Sequence, residues 1–88
     1  MKYKIERSFE KDYNKLRNKD LSQSILSVIE NVGSAQSIES ISSLKKLVGH
    51  KAAYRIRAGN YRIGVFIEQN TVIFAAFDHR KDIYKRFP

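Results

Sequence analysis

Cysteine is missing from this 88-residue chain, and it contains two histidines, four glycines and a single proline. Without cysteine there can be no disulfide framework and no thiolate zinc site, which fits a reducing compartment. His50 and His79 lie far apart and the carboxylates are scattered, so no metal site and no other cofactor is expected. Long apolar runs are lacking too. Nothing approaches the roughly 20 residues that cross a bilayer, and the first residues alternate charge instead of forming the apolar core of a signal peptide. There is no internal repeat, low-complexity tract or linker. A small, soluble, cytoplasmic protein without a membrane partner is the expectation.

What the chain does have is positive charge, unevenly placed. Seventeen Lys and Arg against nine Asp and Glu leave a formal net charge of +8. Residues 45–88 hold ten basic against three acidic residues, whereas residues 1–44 hold seven against six. The C-terminal half therefore carries nearly all the excess, and a polyanion is the expected partner. The length suffices for one domain, residues 1–88, and a hydrophobic fraction of 42% supports a core. A chain of this size buries only about 60% of its unfolded surface, so marginal stability is expected.

Periodicity orders the elements. Lys2 to Arg7 alternates in period two and reads as a short strand with Tyr3 and Ile5 on one face. Ser8 is positioned to cap a helix reaching about Asn18, with Phe9, Tyr13 and Leu16 on its apolar stripe. Asp20 and Gln23 fit a capping box for a second helix, whose stripe runs Leu21, Ile25, Val28, Ile29, Val32 before a stop at Gly33. The two helices are expected to pair as a hairpin. The serine-rich stretch 34–43 reads as a loop or a short helical turn, after which Leu44, Leu47 and Val48 are expected to dock on the core. Ala53 to Arg57, Tyr61 to Glu68 and Thr71 to Phe77 are rich in aromatic and branched residues and read as strands. Gly59-Asn60 and Gln69-Asn70 join them as two-residue turns, which makes successive strands antiparallel. The expected fold class is α+β, with an N-terminal strand and a helical hairpin packed on an antiparallel sheet in the order β-α-α-β-β-β.

A two-residue loop at Gly59-Asn60 pairs Arg57 with Arg62 and Arg55 with Gly64. Period-two geometry then puts Arg55, Arg57 and Arg62 on one face and Tyr54, Ile56, Ile63 and Val65 on the other, against the helices. Opposed like charges destabilise a sheet by about 0.2–1 kcal/mol, a cost better understood if an anion sits between them. Arginine's planar fork suits phosphate oxygens. The Gln69-Asn70 turn would pair Arg62 with Phe77, so His79 continues on the arginine side, followed by Arg80, Lys81 and Tyr84. Four arginines, a histidine and a phenol on one patch are the groups RNA transesterification needs. A base takes the 2′-OH proton, cations neutralise the phosphorane, and an acid protonates the leaving 5′-oxygen. Phe77 or Tyr84 could also stack on a splayed base. The plainer alternatives are a solvated basic face for the arginines, an exposed loop residue for His79 and a packing anchor for Tyr84. His50 reads as a turn residue, and Lys11, Lys15, Arg17 and Lys19 as a solvated helix face.

Leu44-Lys45-Lys46-Leu47-Val48-Gly49, Tyr54-Arg55-Ile56-Arg57, Gly59-Asn60-Tyr61-Arg62-Ile63 and His79-Arg80-Lys81-Asp82-Ile83-Tyr84 together resemble the RelE/ParE superfamily of bacterial toxins, along nearly the whole chain. The resemblance implies a fold similar to microbial ribonucleases and the toxin of a type II toxin–antitoxin pair, silenced by a cognate antitoxin. For the RelE branch it implies a metal-independent endoribonuclease that cuts mRNA in the ribosomal A site and leaves a 2′,3′-cyclic phosphate. For the ParE branch it implies a non-enzymatic inhibitor of DNA gyrase. The closing His79-Arg80 and Tyr84 favour RelE. Arg55, Arg57, Arg62, Arg80 and Tyr84 match the family's functional positions, with arginine where RelE itself often has lysine. Arginine does not deprotonate, so His79 or Tyr84 is the expected base.

Overall fold

The computed structural model describes residues 1–88. In chain order its elements are β1 (Lys2–Ile5), α1 (Arg7–Asn14), α2 (Lys19–Ser34), a 3₁₀ turn (Ile38–Ser40), β2 (Leu44–Lys46), β3 (Ala53–Ala58), β4 (Tyr61–Glu68), β5 (Thr71–His79) and a second 3₁₀ turn (Ile83–Lys85). The strands form one sheet in the order β1-β5-β4-β3-β2. No helix is long and apolar enough to cross a membrane.

Turn chemistry sets the centre of the sheet. Gly59 has φ +61° at the first position of the β3–β4 loop, where a type II′ turn needs glycine. The register follows as expected, with Ala58 opposite Tyr61, Arg57 opposite Arg62 and Arg55 opposite Gly64. Gln69 and Asn70 both take positive φ, the type I′ pattern, and close the β4–β5 hairpin. The outer strands depart from a wholly antiparallel sheet. β1 runs parallel to β5, Lys2 beside Thr71 through Ile5 beside Phe74, so the sheet is mixed. β2 is a further strand, antiparallel to β3. Leu44 and Leu47 are half-buried, but Val48 is 96% exposed and docks on nothing.

Both helices cover one face. Phe9, Ile25, Ile29 and Val32 meet Ile56, Ile63, Val65, Val72, Phe74 and Phe77 in the main core, with Tyr54 and Tyr61 packed at its margin. α1 packs on β5, and α2 on β1 and β3; the Tyr13 hydroxyl donates to the Ser22 carbonyl between the helices. The helix ends differ from those expected. α1 starts after Glu6, so Ser8 is inside it and not its cap, and it stops at Asn14. α2 is capped by Asn18, whose side-chain oxygen accepts from the Leu21 N–H at 3.0 Å, which displaces the Asp20–Gln23 box. Gly33 lies within α2, where the Tyr3 ring approaches it.

The other face carries a smaller cluster of Ala53, Ala76, Ile83 and Phe87, to which the C-terminal tail contributes the last two. Between Gly64 and Val65 the β4–β5 register shifts: Gly64 pairs with Ala76 but Val65 with Phe74, leaving Ala75 as an extra residue. Arg62 is consequently opposite Asp78, not Phe77.

Candidate nucleic-acid interface

The face away from the helices is built by strand parity. Arg55 and Arg57 of β3 and Arg62 of β4 point to it, and Lys45 of β2, opposite Arg55, joins them. Backbone carbonyls hold two of the guanidinium groups. Arg55 Nη1 donates to the Ser43 carbonyl at 3.2 Å, and Arg62 Nη1 donates to the Gly59 and Tyr61 carbonyls, both at 2.9 Å. The chain has three ion pairs, Lys85–Asp82, Arg86–Asp12 and Arg86–Asp78, and none involves Arg55, Arg57, Arg62 or Arg80. Even Asp78, opposite Arg62, turns to Arg86 at 3.6 Å.

Arg62 is the electrostatic centre of this group. Partial burial does most to lower its pKa from the ordinary arginine value, and Arg57, Arg55 and Arg80 lower it further, while Tyr84 acts the other way. Arginine stays protonated under such a shift, so the shift records a partly desolvated guanidinium that is also crowded by other arginines. An anion bound there would relieve it.

The C-terminal tail supplies the remaining parts. Arg80 is exposed, and its backbone N–H donates to the Asn60 carbonyl at 2.8 Å, fixing the chain as it leaves β5. Buried Ile83 and Phe87 seat the tail on the sheet, and the Phe87 N–H donates to the Ile83 carbonyl at 2.9 Å. Tyr84, between these anchors, is 56% exposed. It borders an open cleft of about 390 Å³ that also touches Lys45, His50, Arg55 and Phe87.

The structure separates two expected site residues from this group. The extra residue at Ala75 turns Phe77 and His79 to the helix side. Phe77 is buried, edge-on to Phe9 with ring centroids 5.1 Å apart, and is not available to stack on a base. His79 packs edge-on against Tyr61 at 5.7 Å, and its Nδ1 accepts the Lys81 N–H at 3.2 Å. Lys81 is exposed in the turn after β5, next to Arg80 in the chain, and does not line the cleft. Sequence reasoning missed Lys45, whose signal needed β2 to be recognised as a strand. It also missed Gly64, over which the Phe87 ring lies so closely that a Cβ would meet it at 2.5 Å.

No family model matches the chain. Among individual proteins, it is 42% identical over 62 residues to Toxin RelE3 of Methanocaldococcus jannaschii, covering 69% of this chain and 70% of that protein. The chain belongs to the RelE toxin family. The likeness extends to structure: the RelE fold of the RelB–RelE antitoxin–toxin complex from Methanococcus jannaschii superposes with a TM-score of 0.78 at 34% identity, covering 97% of this chain and 99% of that one. An archaeal RelE–RelB complex from Pyrococcus horikoshii shares the fold, with a TM-score of 0.70 at 19% identity over 90% of this chain and 93% of that one. In this chain the RelE fold carries the arginine group on its helix-free sheet face.

Proposed function

We propose that this RelE-family chain is the toxin of a type II toxin–antitoxin pair and that it cuts mRNA in the ribosomal A site without a metal. The observation that carries the reading is the group of four arginines without carboxylate partners, Arg55, Arg57, Arg62 and Arg80, centred on half-buried Arg62 with Tyr84 beside it. Positive charge held in place before substrate arrives stabilises a phosphorane without reorganisation. The arginines bind and neutralise the scissile phosphate, and the Tyr84 phenol protonates the leaving 5′-oxygen. Attack by the neighbouring 2′-OH leaves a 2′,3′-cyclic phosphate. Because arginine does not accept a proton here, the cluster holds and stabilises but does not act as base. The archaeal relatives sit in complexes with antitoxins, and a net charge of +8 suits an acidic cognate antitoxin for this chain.

Primer extension on translated mRNA after induction tests the proposal. Wild-type toxin should produce discrete new 5′ ends within codons, and Arg62→Ala should slow cleavage about 100-fold or more, as loss of one charge-stabilising donor does. Growth arrest with intact mRNA and inhibited DNA supercoiling would replace this reading with the gyrase one.

A further inference from the structure

The proposed cleavage needs a proton acceptor on the arginine face, and neither residue expected in that role fills it. His79 faces the helices, and a phenol that protonates the leaving group cannot also begin the reaction as base. We infer that His50 accepts the 2′-OH proton, an assignment that rests on the ribonuclease reading above. His50 lies in the β2–β3 connection, where Gly49 takes φ +82° and the His50 N–H donates to the Leu47 carbonyl at 3.3 Å. That turn places it in the lining of the cleft of about 390 Å³, which Tyr84 and Arg55 also line. Its side chain is exposed and makes no hydrogen bond within the protein, unlike that of His79.

The company around the cleft narrows the choice. Lys45 and Lys46 from β2, Arg55 from β3 and Tyr84 from the tail are its other titratable groups, and Lys51 follows His50 in the chain. No side chain lining the cleft is a carboxylate. Imidazole is the side chain suited to proton exchange near neutral pH, and its neutral form accepts through a ring nitrogen. The 390 Å³ opening is of the size that takes a nucleotide-sized ligand. In the assigned step the 2′-OH proton passes to the neutral imidazole while the 2′-oxygen bonds to phosphorus. The bond from phosphorus to the 5′-oxygen breaks, and that oxygen takes the Tyr84 phenolic proton. The products are a 2′,3′-cyclic phosphate and a 5′-hydroxyl, with imidazolium and phenolate restored by exchange through water.

Single-turnover cleavage of a defined mRNA on programmed ribosomes, followed from about pH 6 to 8, tests the assignment. A base must be unprotonated, so the wild-type rate should fall as the pH drops through the histidine range. His50→Ala should lose about 100-fold in kcat with KM little changed, lose that acid limb, and regain part of its rate with added imidazole. His79→Asn should keep both the rate and the limb. A wild-type rate and pH profile in His50→Ala, or a rise in KM alone, overturns the role of His50 while leaving the ribonuclease reading intact if Arg62→Ala is still slow. Loss of the limb in His79→Asn overturns it as well. Absence of cleavage by the wild-type protein removes both.

Discussion

Adding one methyl group at Gly64 should strain the seat of the C-terminal tail. Gly64 has no left-handed backbone angle, so alanine is resisted by space alone. Its Cβ would lie 2.5 Å from Cγ and Cδ2 of Phe87 and 2.8 Å from Cδ1. The ring has little room to move, because Phe87 is 4% exposed and packs against Phe66 at a centroid distance of 5.0 Å. If the tail stays, overpacking costs about 1–3 kcal/mol. If it leaves, Phe87 and Ile83 lose about 1.5–3 kcal/mol of burial each, roughly 3–6 kcal/mol together. The smaller loss is the one the protein takes, so Gly64→Ala should destabilise by about 1–3 kcal/mol, a fall in Tm of about 5–20 °C for a domain of this size.

A double-mutant cycle identifies the cause. Phe87→Ala removes the clashing ring, so Gly64→Ala should be nearly neutral in that background, with a coupling energy of about 1–3 kcal/mol in urea melts of the four proteins. Additive effects would refute the argument. Displaced ring geometry also moves Tyr84, three residues before Phe87, so mRNA cleavage by folded Gly64→Ala should fall further than RNA affinity does. Equal losses of both would show that Tyr84 does not depend on the tail's seat.

Two further outcomes are expected. Phe77→Leu should stay folded, lose about 1–1.5 kcal/mol in denaturant melts and keep wild-type RNA affinity by filter binding, because its ring packs on Phe9 in the core; lower affinity at unchanged stability would return Phe77 to the interface. Arg57→Gln should raise stability by a few tenths to about 1 kcal/mol, because it removes the like charge opposite Arg62, and should weaken RNA binding in the same preparation; a stability loss would mean that the arginine stem packs more than its charge repels.

The parts legible in the sequence are those governed by local rules. A glycine at the first position of a two-residue loop admits few geometries, so the β3–β4 register and the shared face of Arg55, Arg57 and Arg62 could be read in advance. Strand β4 could be read from Tyr61 to Glu68 for the same reason. The parallel placement of β1 beside β5 was not legible, because it joins segments about 70 residues apart through edge-on contact of the exposed Tyr3 ring with Phe74, 5.8 Å between centroids, with no turn to announce it. The three-residue β2 is too short to show a period. The cap of α2 was misplaced because Asn18 and Asp20 are both good capping residues, and only the path from α1 decides which one meets the free N–H groups.

The register shift that removed His79 from the arginine face had a signal in the sequence, although not one carried by turn chemistry. Val72 and Phe74 are two apart, as one face of a strand requires, but Phe77 follows three residues after Phe74. An unbroken strand would place Phe77 among the arginines and bury the Asp78 carboxylate against the helices. One extra residue at Ala75 lets Phe74 and Phe77 both enter the core and sends Asp78 to the face where it meets Arg86. Burying a phenylalanine is worth about 1.5–3 kcal/mol, and avoiding an unpaired buried carboxylate is worth more, whereas a lost ladder hydrogen bond costs about 0.5–1.5 kcal/mol. The bulge is therefore the favoured register, and its position beside Gly64 has a second effect. The strand surface left bare by that glycine is where Phe87 seats the tail, so the feature that takes His79 out of the site also helps to hold Tyr84 at its edge.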